Sequence, residues 1–446
     1  MKIVIEPGGW DCLNIGDLAM LEAACSRLWA LWPAAHIHVI TTAPERLCQS
    51  IPRVQPLSPQ SRFEVLNHQP TGGALGSPSA LQRARRAAQN WIRRQAPAVD
   101  AAFNLARVAK QGDAWRPAAA LLWTIRTSDL FVLSGAGGIN DAFAAGALRV
   151  LLTLRFAQRG GRPTALLGHM IGPLTHPAVL QLCRDVLPRT DWISLREGFT
   201  SLPVLHSLGV PSGQIAVCGD ETVEMAYNSR QHGGEKANRL GWNVRVARYS
   251  GLQSGDEAWK AFRSVVAAAA GEFQAEIAPI AISHQASDSD QTALEQITAG
   301  LPCVAEAAAG PESSEEVFRR VGACRVVVTG SYHGAVFALA QGIPAVGLSF
   351  TPYYQAKFDG LRDLFGGGCR HVDGTVSGWP EALRQAIDEL WTSAPQWQKP
   401  LCEAAARQAR LSWQAYAALA ERIRARRRIP AALPLSPPSL APTPGR

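Results

Sequence analysis

Residues 326–348 hold the feature that most limits how this chain can fold. Val326-Val327-Val328 is a β-branched run of buried-strand type, and Thr329-Gly330-Ser331-Tyr332-His333-Gly334 follows it directly. The apolar stretch 335–340 then reads as a helix ending at Gly342, and 343–348 reads as a second strand. Parallel neighbours need a crossover, usually a helix, so this spacing describes a βαβ unit. His333 is thereby set at the carboxyl end of a parallel strand and the amino end of a helix. Open α/β sheets place their ligands at that edge, and the free N–H groups of a helix start suit a phosphate.

The same alternation runs along most of the 446 residues, enough for two α/β domains and a tail. A strand at 2–6, the loop Pro7-Gly8-Gly9, a helix at 15–32 with Leu18, Leu21, Ala24 and Leu28 at helical spacing, and a strand at 36–41 have Rossmann-like order. A full G-x-G-x-x-G fingerprint is missing. Residues 57–120 break the pattern. Pro70, Gly72, Gly73, Gly76 and Pro78 mark a flexible loop, and Arg83, Arg85, Arg86, Arg93 and Arg94 follow among alanines. This helical insertion reads as a solvated face, or else as an acceptor-binding or membrane-facing element.

Strands are expected again at 129–134, 163–168 and 191–195, each running into a small-residue or charged loop, and those loops should share one sheet edge. The second half opens near 205, with strands expected at 215–218, 240–246, 276–282, 303–307, 325–329 and 345–348, and helices at 256–270 and 314–321. Two Rossmann-like domains, 1–204 and 205–395, facing across a cleft are the natural assembly. After Pro400 the pattern becomes one helix, 401–428, with Leu411, Ala415, Leu419 and Ile423 on one face. Arg422, Arg424, Arg426, Arg427 and Arg428 crowd its end, where a helix favours cations. That end is a candidate for contact with anionic lipid, or a solubilising tail. Residues 430–446 are proline-rich and aperiodic, and are expected to be disordered.

Composition narrows the functional classes. Hydrophobic residues at 47% and charged residues at 18% are ordinary for a globular protein. The formal charge of +8 comes mainly from arginine and collects in the insertion and the tail. Aromatic-basic interleaving is lacking, which argues against nucleic acid. Nine cysteines, an odd number without C-x-x-C pairs, fit a reducing cytoplasm, and no ligand spacing suggests a metal or other cofactor. The amino terminus goes straight into a strand, so no signal peptide is expected, and no apolar run would span a bilayer.

Several short motifs, weak singly, are specific in their order. They are Asn14-Ile15-Gly16-Asp17; the glycine-rich 135–141 with its trailing Asp141; 168–174, reading G-x-M-I-G-P-L; Ile193-Ser194-Leu195-Arg196-Glu197; Gly219-Asp220; and Ser331 to Gly334 with Gly342-Ile343-Pro344 and Lys357. Together they resemble the polysaccharide pyruvyl transferase family over most of residues 1–370. The resemblance implies a GT-B-like pair of Rossmann-like domains. It also implies transfer of the enolpyruvyl unit of phosphoenolpyruvate to two hydroxyls of a glycan or lipid-linked sugar, forming a cyclic ketal in cell-surface polysaccharide biosynthesis. On that basis Arg196 is the expected anion clamp, since a guanidinium matches carboxylate or phosphate bidentately. His333 is the expected acid/base, with a ring kept neutral by the helix start until a bound dianion raises its pKa. Asn14, Asp17, Gly137, Gly138, Asp141, Asp220, Ser331 and Lys357 are the expected substrate contacts. Asn14 and Asp17 are also good helix-start residues. One departure stands out: members active in the ketal reaction carry Arg two positions before the histidine, and here that residue is Ser331.

Two other readings share this scaffold. A GT-B-like glycosyltransferase using a nucleotide sugar needs an acid for the ribose near the carboxyl-terminal block, and Glu312, Glu315 and Glu316 are the nearest upstream acids. A non-catalytic binding protein would tolerate loss of His333.

Overall fold

The structure is a computed structural model. It describes residues 1–66, 88, 91, 97–111, 113, 115–135, 137–230, 238–306, 310 and 313–426. The glycine-rich loop after 66, the five arginines of the insertion, Glu312, Arg427, Arg428 and the tail 430–446 lie outside the described residues.

Two parallel sheets carry the fold. The first has seven strands: β1 (Lys2–Pro7), β2 (His36–Ile40), β3 (Gln55–Leu57), β4 (Leu130–Ser134), β5 (Thr164–His169), β6 (Trp192–Leu195) and β7 (Ile215–Val217). Their spatial order is β3-β2-β1-β4-β5-β6-β7. The second has five: β8 (Arg239–Asn243), β9 (Glu276–Pro279), β10 (Val326–Thr329), β11 (Ala345–Ser349) and β12 (Cys369–Asp373), in the order β12-β11-β10-β8-β9. Every described pairing in both sheets is parallel. Each order reverses once, between β1 and β4 and between β8 and β10, and such reversals open a crevice at the carboxyl edge. The central strands are apolar because helices cover both faces; β4, β10 and β11 are buried throughout.

Five expectations are corrected. β7 pairs with β6, so the first sheet runs past residue 204. β3 and β12 were not anticipated: β3 is only three residues, Gln-Pro-Leu, with a proline at its centre, and β12 is a half-exposed edge strand, Cys-Arg-His-Val-Asp. The stretch 303–307 contributes only an isolated bridge from Val304 to Ile277. The strand expected at 240–246 ends at Asn243, which frees Arg245 to turn into the cleft. The helix expected from 401 begins at Trp379 and runs to Arg426, through Pro395 and Pro400.

That last helix braces both halves. Leu383, Ile387, Leu390 and Trp391 pack with the second sheet, whereas Ala415, Tyr416, Leu419, Ala420 and Ile423 join the core beneath β1, β2 and β4. Leu411 is 39% exposed, and Ser412 and Tyr416 complete the buried face in its place. Its basic end is engaged with protein: Arg426 pairs with Asp191, and Arg422 bonds the Gly213 carbonyl and lies over Trp192. Among the described residues no helix is long and apolar enough to cross a membrane.

Candidate functional site

The two carboxyl edges face each other. Leu13 and Ile15, from the loop after β1, exchange backbone hydrogen bonds with His284 and Ile282, from the loop after β9, at 2.8 Å each. Asn14 caps the helix Ile15–Leu31, its Oδ1 accepting from the Asp17 N–H at 3.2 Å. Between the edges lies a cavity of about 200 Å³ lined by Asn14, Asp17, Gly137, Gly138, Arg196, Ser331, His333 and Lys357 among others. Eight of the ten expected site residues thus line one chamber. Asp220 lies just beneath it, its Oδ2 3.7 Å from Nη1 of Arg196 and 3.9 Å from Nε2 of His333. Asp141 is the exception. Its carboxylate accepts from the N–H groups of Thr175 and His176 and from the Thr175 hydroxyl, which hold its pKa below the usual range despite partial burial, and it fixes the loop after β5 instead.

Arg196 leaves the end of β6 and is buried. Its guanidinium stacks on the Tyr332 ring at 4.0 Å, and its Nε has no hydrogen-bond partner. The next residue does not neutralise it, because the Glu197 carboxylate accepts from Thr200 and Ser201. Lys357, on the helix Pro352–Phe365, reaches the same chamber among tyrosines, 4.1 Å from the Tyr353 centroid and 4.8 Å from that of Tyr354. It forms no ion pair among the described residues. Burial, helped by Arg196, drives its pKa well below the usual lysine range. With Asp220 reaching Arg196 only at 3.7 Å, the two cations form a loosely matched electrostatic set.

His333 opens the helix Tyr332–Ala340, whose cap residue Ser331 leaves its hydroxyl uncommitted to capping. Burial pushes the imidazole down to about 3, with Arg196 and Lys357 adding to the effect and Asp220 opposing it, so the ring is neutral at pH 7. Its Nε2 is 3.3 Å from the Met20 sulfur. Its other side lies against the backbone of Gly16, where a Cβ would sit 2.0 Å from Nδ1. The glycine of Asn14-Ile15-Gly16-Asp17 is therefore required by close approach of the histidine from the other half of the chain. Gly137 is similarly constrained, since a Cβ there would meet Nη2 of Arg196 at 2.7 Å and the Tyr353 hydroxyl at 3.0 Å. Asp17 carries the opposite perturbation. Burial lifts its carboxyl to about 6, although Lys357 and Arg196 pull it down.

Sequence reasoning missed Arg245, Tyr249, Tyr353 and Tyr354, which also line the chamber. Arg245 is held by Asp290 at 2.9 Å and by Asp288 at 2.5 Å. Its signal was present: it lies two residues past β8, beside the switch point of the second sheet, and stands next to the Gly330-Ser331 turn, where a Cβ on Gly330 would touch it at 3.2 Å. Of the acids weighed for a ribose, Glu316 is locked in a capping box with Ser313, and Glu315 sits in the same first turn. Among the described residues no group of three or more His, Cys, Asp or Glu side chains is placed to hold a metal ion.

Comparison with solved structures supports the architecture. Anabaena Alr3699/HepE, solved in complex with UDP, superposes with a TM-score of 0.56 at 12% identity over 95% of this chain and 100% of that one. A glycosyltransferase from Rickettsia africae gives 0.51 at 10% identity, over 95% and 98%. A putative UDP-N-acetylglucosamine 2-epimerase from Listeria monocytogenes gives 0.50 at 11% identity, over 90% of each chain. At such identities the likeness is one of fold, two Rossmann-like units in the GT-B manner. No curated protein matches the sequence. The sequence model of the polysaccharide pyruvyl transferase family, however, matches residues 14–351, which takes in the glycine beneath His333, the guanidinium of Arg196 and the whole strand–turn–helix that carries the histidine. The chain belongs to the polysaccharide pyruvyl transferase family, and it is a transferase.

Proposed function

We propose that this transferase moves the enolpyruvyl unit of phosphoenolpyruvate onto two hydroxyls of a glycan or lipid-linked sugar, closing a cyclic ketal. One observation carries the reading: Arg196 and Lys357, with the start of the helix Tyr332–Ala340, converge on a small chamber in which Arg196 meets Asp220 only at 3.7 Å and Lys357 forms no ion pair among the described residues. Phosphoenolpyruvate supplies a carboxylate and a phosphate. The Arg196 fork suits either group bidentately, and Lys357 with the helix start suits the other. Arg245, already paired with Asp288 and Asp290, does not replace the arginine missing at Ser331, which leaves the phosphate to Lys357, Arg196 and the helix start.

The reaction begins with a proton delivered to the methylene carbon. Without a bound anion's charge, His333 is neutral and Asp17 has its pKa lifted to about 6. A bound dianion raises both, loading His333 as the acid. A sugar hydroxyl then bonds to the electron-poor carbon, phosphate departs with the C–O electron pair, and the second hydroxyl closes the ring. One hydroxyl proton ends on the new methyl group and the other leaves with phosphate. Asp220, between Arg196 and His333, stabilises the imidazolium while it exists. This reading sets the work in the cytoplasm, where phosphoenolpyruvate is made, on surface-glycan precursors.

The test is phosphate release from phosphoenolpyruvate by purified protein with a panel of glycan acceptors. Wild type should release phosphate only when acceptor is present, and His333→Ala and Arg196→Ala should fall by roughly a hundredfold or more. Acceptor-dependent release of UDP from a nucleotide sugar, with none of phosphate, would overturn the proposal.

A further inference from the structure

A second chamber, of about 290 Å³, opens beside the first and shares Gly8, Gly9, Gly138, Phe143 and Gln285 with it. It lies at the switch point of the seven-stranded sheet, against the carboxyl ends of β1, β4 and β5. Leu133, Ile139, Phe143 and Val150 make its lining largely apolar. Its polar side chains Glu6, Asp11, Thr42 and Gln285 are hydrogen-bonded to protein, whereas His169 and Ser134 each keep one unpaired polar atom. His169 is 3% exposed; its Nε2 lies 3.2 Å from the Leu133 carbonyl and so carries the hydrogen, which leaves Nδ1 an acceptor with nothing to accept. Ser134 is 2% exposed, and its Oγ is also unpaired. Buried polar atoms rarely stay unpaired in a native protein, so these two need a partner from outside the chain, a water or a ligand hydroxyl. Burial keeps His169 near 4, neutral and available as an acceptor.

An apolar wall of Leu133, Ile139, Phe143 and Val150 beside an unpaired acceptor and an unpaired hydroxyl matches a sugar ring, with its C–H face and its hydroxyls. Two acids expected among the substrate contacts lie away from this chamber, Asp141 on the 175–176 backbone and Asp220 beside Arg196 and His333. We infer that this second chamber is the acceptor subsite, where His169 Nδ1 and Ser134 Oγ hold the reacting hydroxyls toward the donor across the shared Gly138–Phe143 wall. The substrate class is a ring with two neighbouring free hydroxyls. The inference rests on the pyruvyl-transfer reading; His169 and Ser134 orient the hydroxyls and are unchanged in the balance written above.

Gly146 gives a test that spares the fold. It lies on the helix Ala144–Arg159 and lines only the second chamber, and a Cβ there meets nothing within 4 Å. Gly146→Phe, His169→Ala and Ser134→Ala are compared with wild type in two measurements. Phosphoenolpyruvate binding to the purified proteins is followed by calorimetry, and the ketal content of the surface glycan is measured by mass spectrometry in native host cells carrying each variant. Gly146→Phe should keep its phosphoenolpyruvate affinity within about twofold while ketal content drops at least roughly tenfold, with His169→Ala following it. Wild-type ketal content in Gly146→Phe and His169→Ala overturns the inference, as does a Gly146→Phe variant that loses donor affinity in step with ketal. Wild-type protein that binds no phosphoenolpyruvate, in cells whose glycan has no ketal, overturns the donor reading itself.

Discussion

Gly16→Ala adds one methyl group where two halves of the chain meet. The new carbon would lie 2.0 Å from Nδ1 of His333, 2.2 Å from its Cγ and 2.6 Å from its Cε1. Ordinary contact begins near 3.4 Å, so ring and helix must part by about 1.4 Å. The ring has nowhere to retreat: Met20 holds its far side at 3.3 Å, and Tyr332 and Phe337 flank it at centroid distances of 5.2 and 5.8 Å. Overpacking of this kind costs about 1–3 kcal/mol, and the helix preference of Ala over Gly returns at most about 1 kcal/mol. With the Ala preference returned in full, the expected net loss is up to about 2 kcal/mol. The effect on rate should be larger, because a displacement of order 1 Å at a reacting group costs roughly a hundredfold. Phosphate release under saturating phosphoenolpyruvate gives the rate, and a denaturant titration gives the stability. Gly146→Ala is the matched control: it lies on a helix too, with open space, and should be neutral or slightly stabilising. A Gly16→Ala enzyme with wild-type rate and stability would refute the claim that this glycine exists to admit the histidine.

Three further outcomes follow from the charges. Asp17 is lifted from 3.8 to about 6, so the folded state binds its proton more tightly than the unfolded chain, and stability from this group falls as pH rises through that interval. Wild type should therefore lose about 1–2 kcal/mol relative to Asp17→Asn between pH 4 and 8, less than the full shift implies because the carboxyl borders the cavity; a pH-independent difference in urea titrations would refute it. Lys357→Met removes a buried, strained ammonium while keeping its length, so the melting temperature should hold or rise while phosphoenolpyruvate binding weakens by roughly tenfold or more in calorimetry; unchanged binding would refute it. Arg27→Ala strips the cation from Glu221 and Glu224, which it meets at 2.6 and 2.9 Å, and should cost about 3–5 kcal/mol; a melting temperature within a degree or two of wild type would refute it.

The βαβ unit at 326–348 was legible because each of its signals is local: a β-branched run, a glycine turn and an apolar helix of fixed length. The same holds for β1, β4, β5 and β6, whose ends fell within a residue or two of expectation. The missed strands, β3 and β12, lie at sheet edges, where half-exposed residues do not alternate cleanly. The brace was hidden for another reason. Pro395 and Pro400 are ordinarily helix breakers, and only the packing of residues on both sides against two different sheets keeps the helix continuous through them. In the site, Arg196 and His333 could be named because each follows a strand directly. Arg245 could not, because a β-compatible run carried the expected strand over it.

Adjacent acids show why the site needed three dimensions. Glu221 accepts from Arg27 at 2.6 Å and from the Tyr416 hydroxyl at 2.7 Å, and Glu224 receives Arg27 and the Trp413 indole. This network ties the first helix to the far end of the brace. Asp220, one residue earlier, makes no hydrogen bond from Oδ2 and faces Arg196 and His333 at 3.7 and 3.9 Å. The chain thus sets a strongly hydrogen-bonded group of buried charges next to a looser, open one. Closed pairs hold a fold in register but bind nothing further, whereas groups held just beyond hydrogen-bond distance can still rearrange around a ligand. The rigidity of the first set is what lets the second remain incomplete without collapsing: Asp220 cannot move toward Arg196 while Glu221 is anchored beside it. Tyr416→Phe removes one of the two Glu221 contacts and leaves Arg27 in place; the loosened anchor should let Asp220 shift toward Arg196 and weaken phosphoenolpyruvate binding, and a variant that binds the donor as wild type does would show that the two sets are independent.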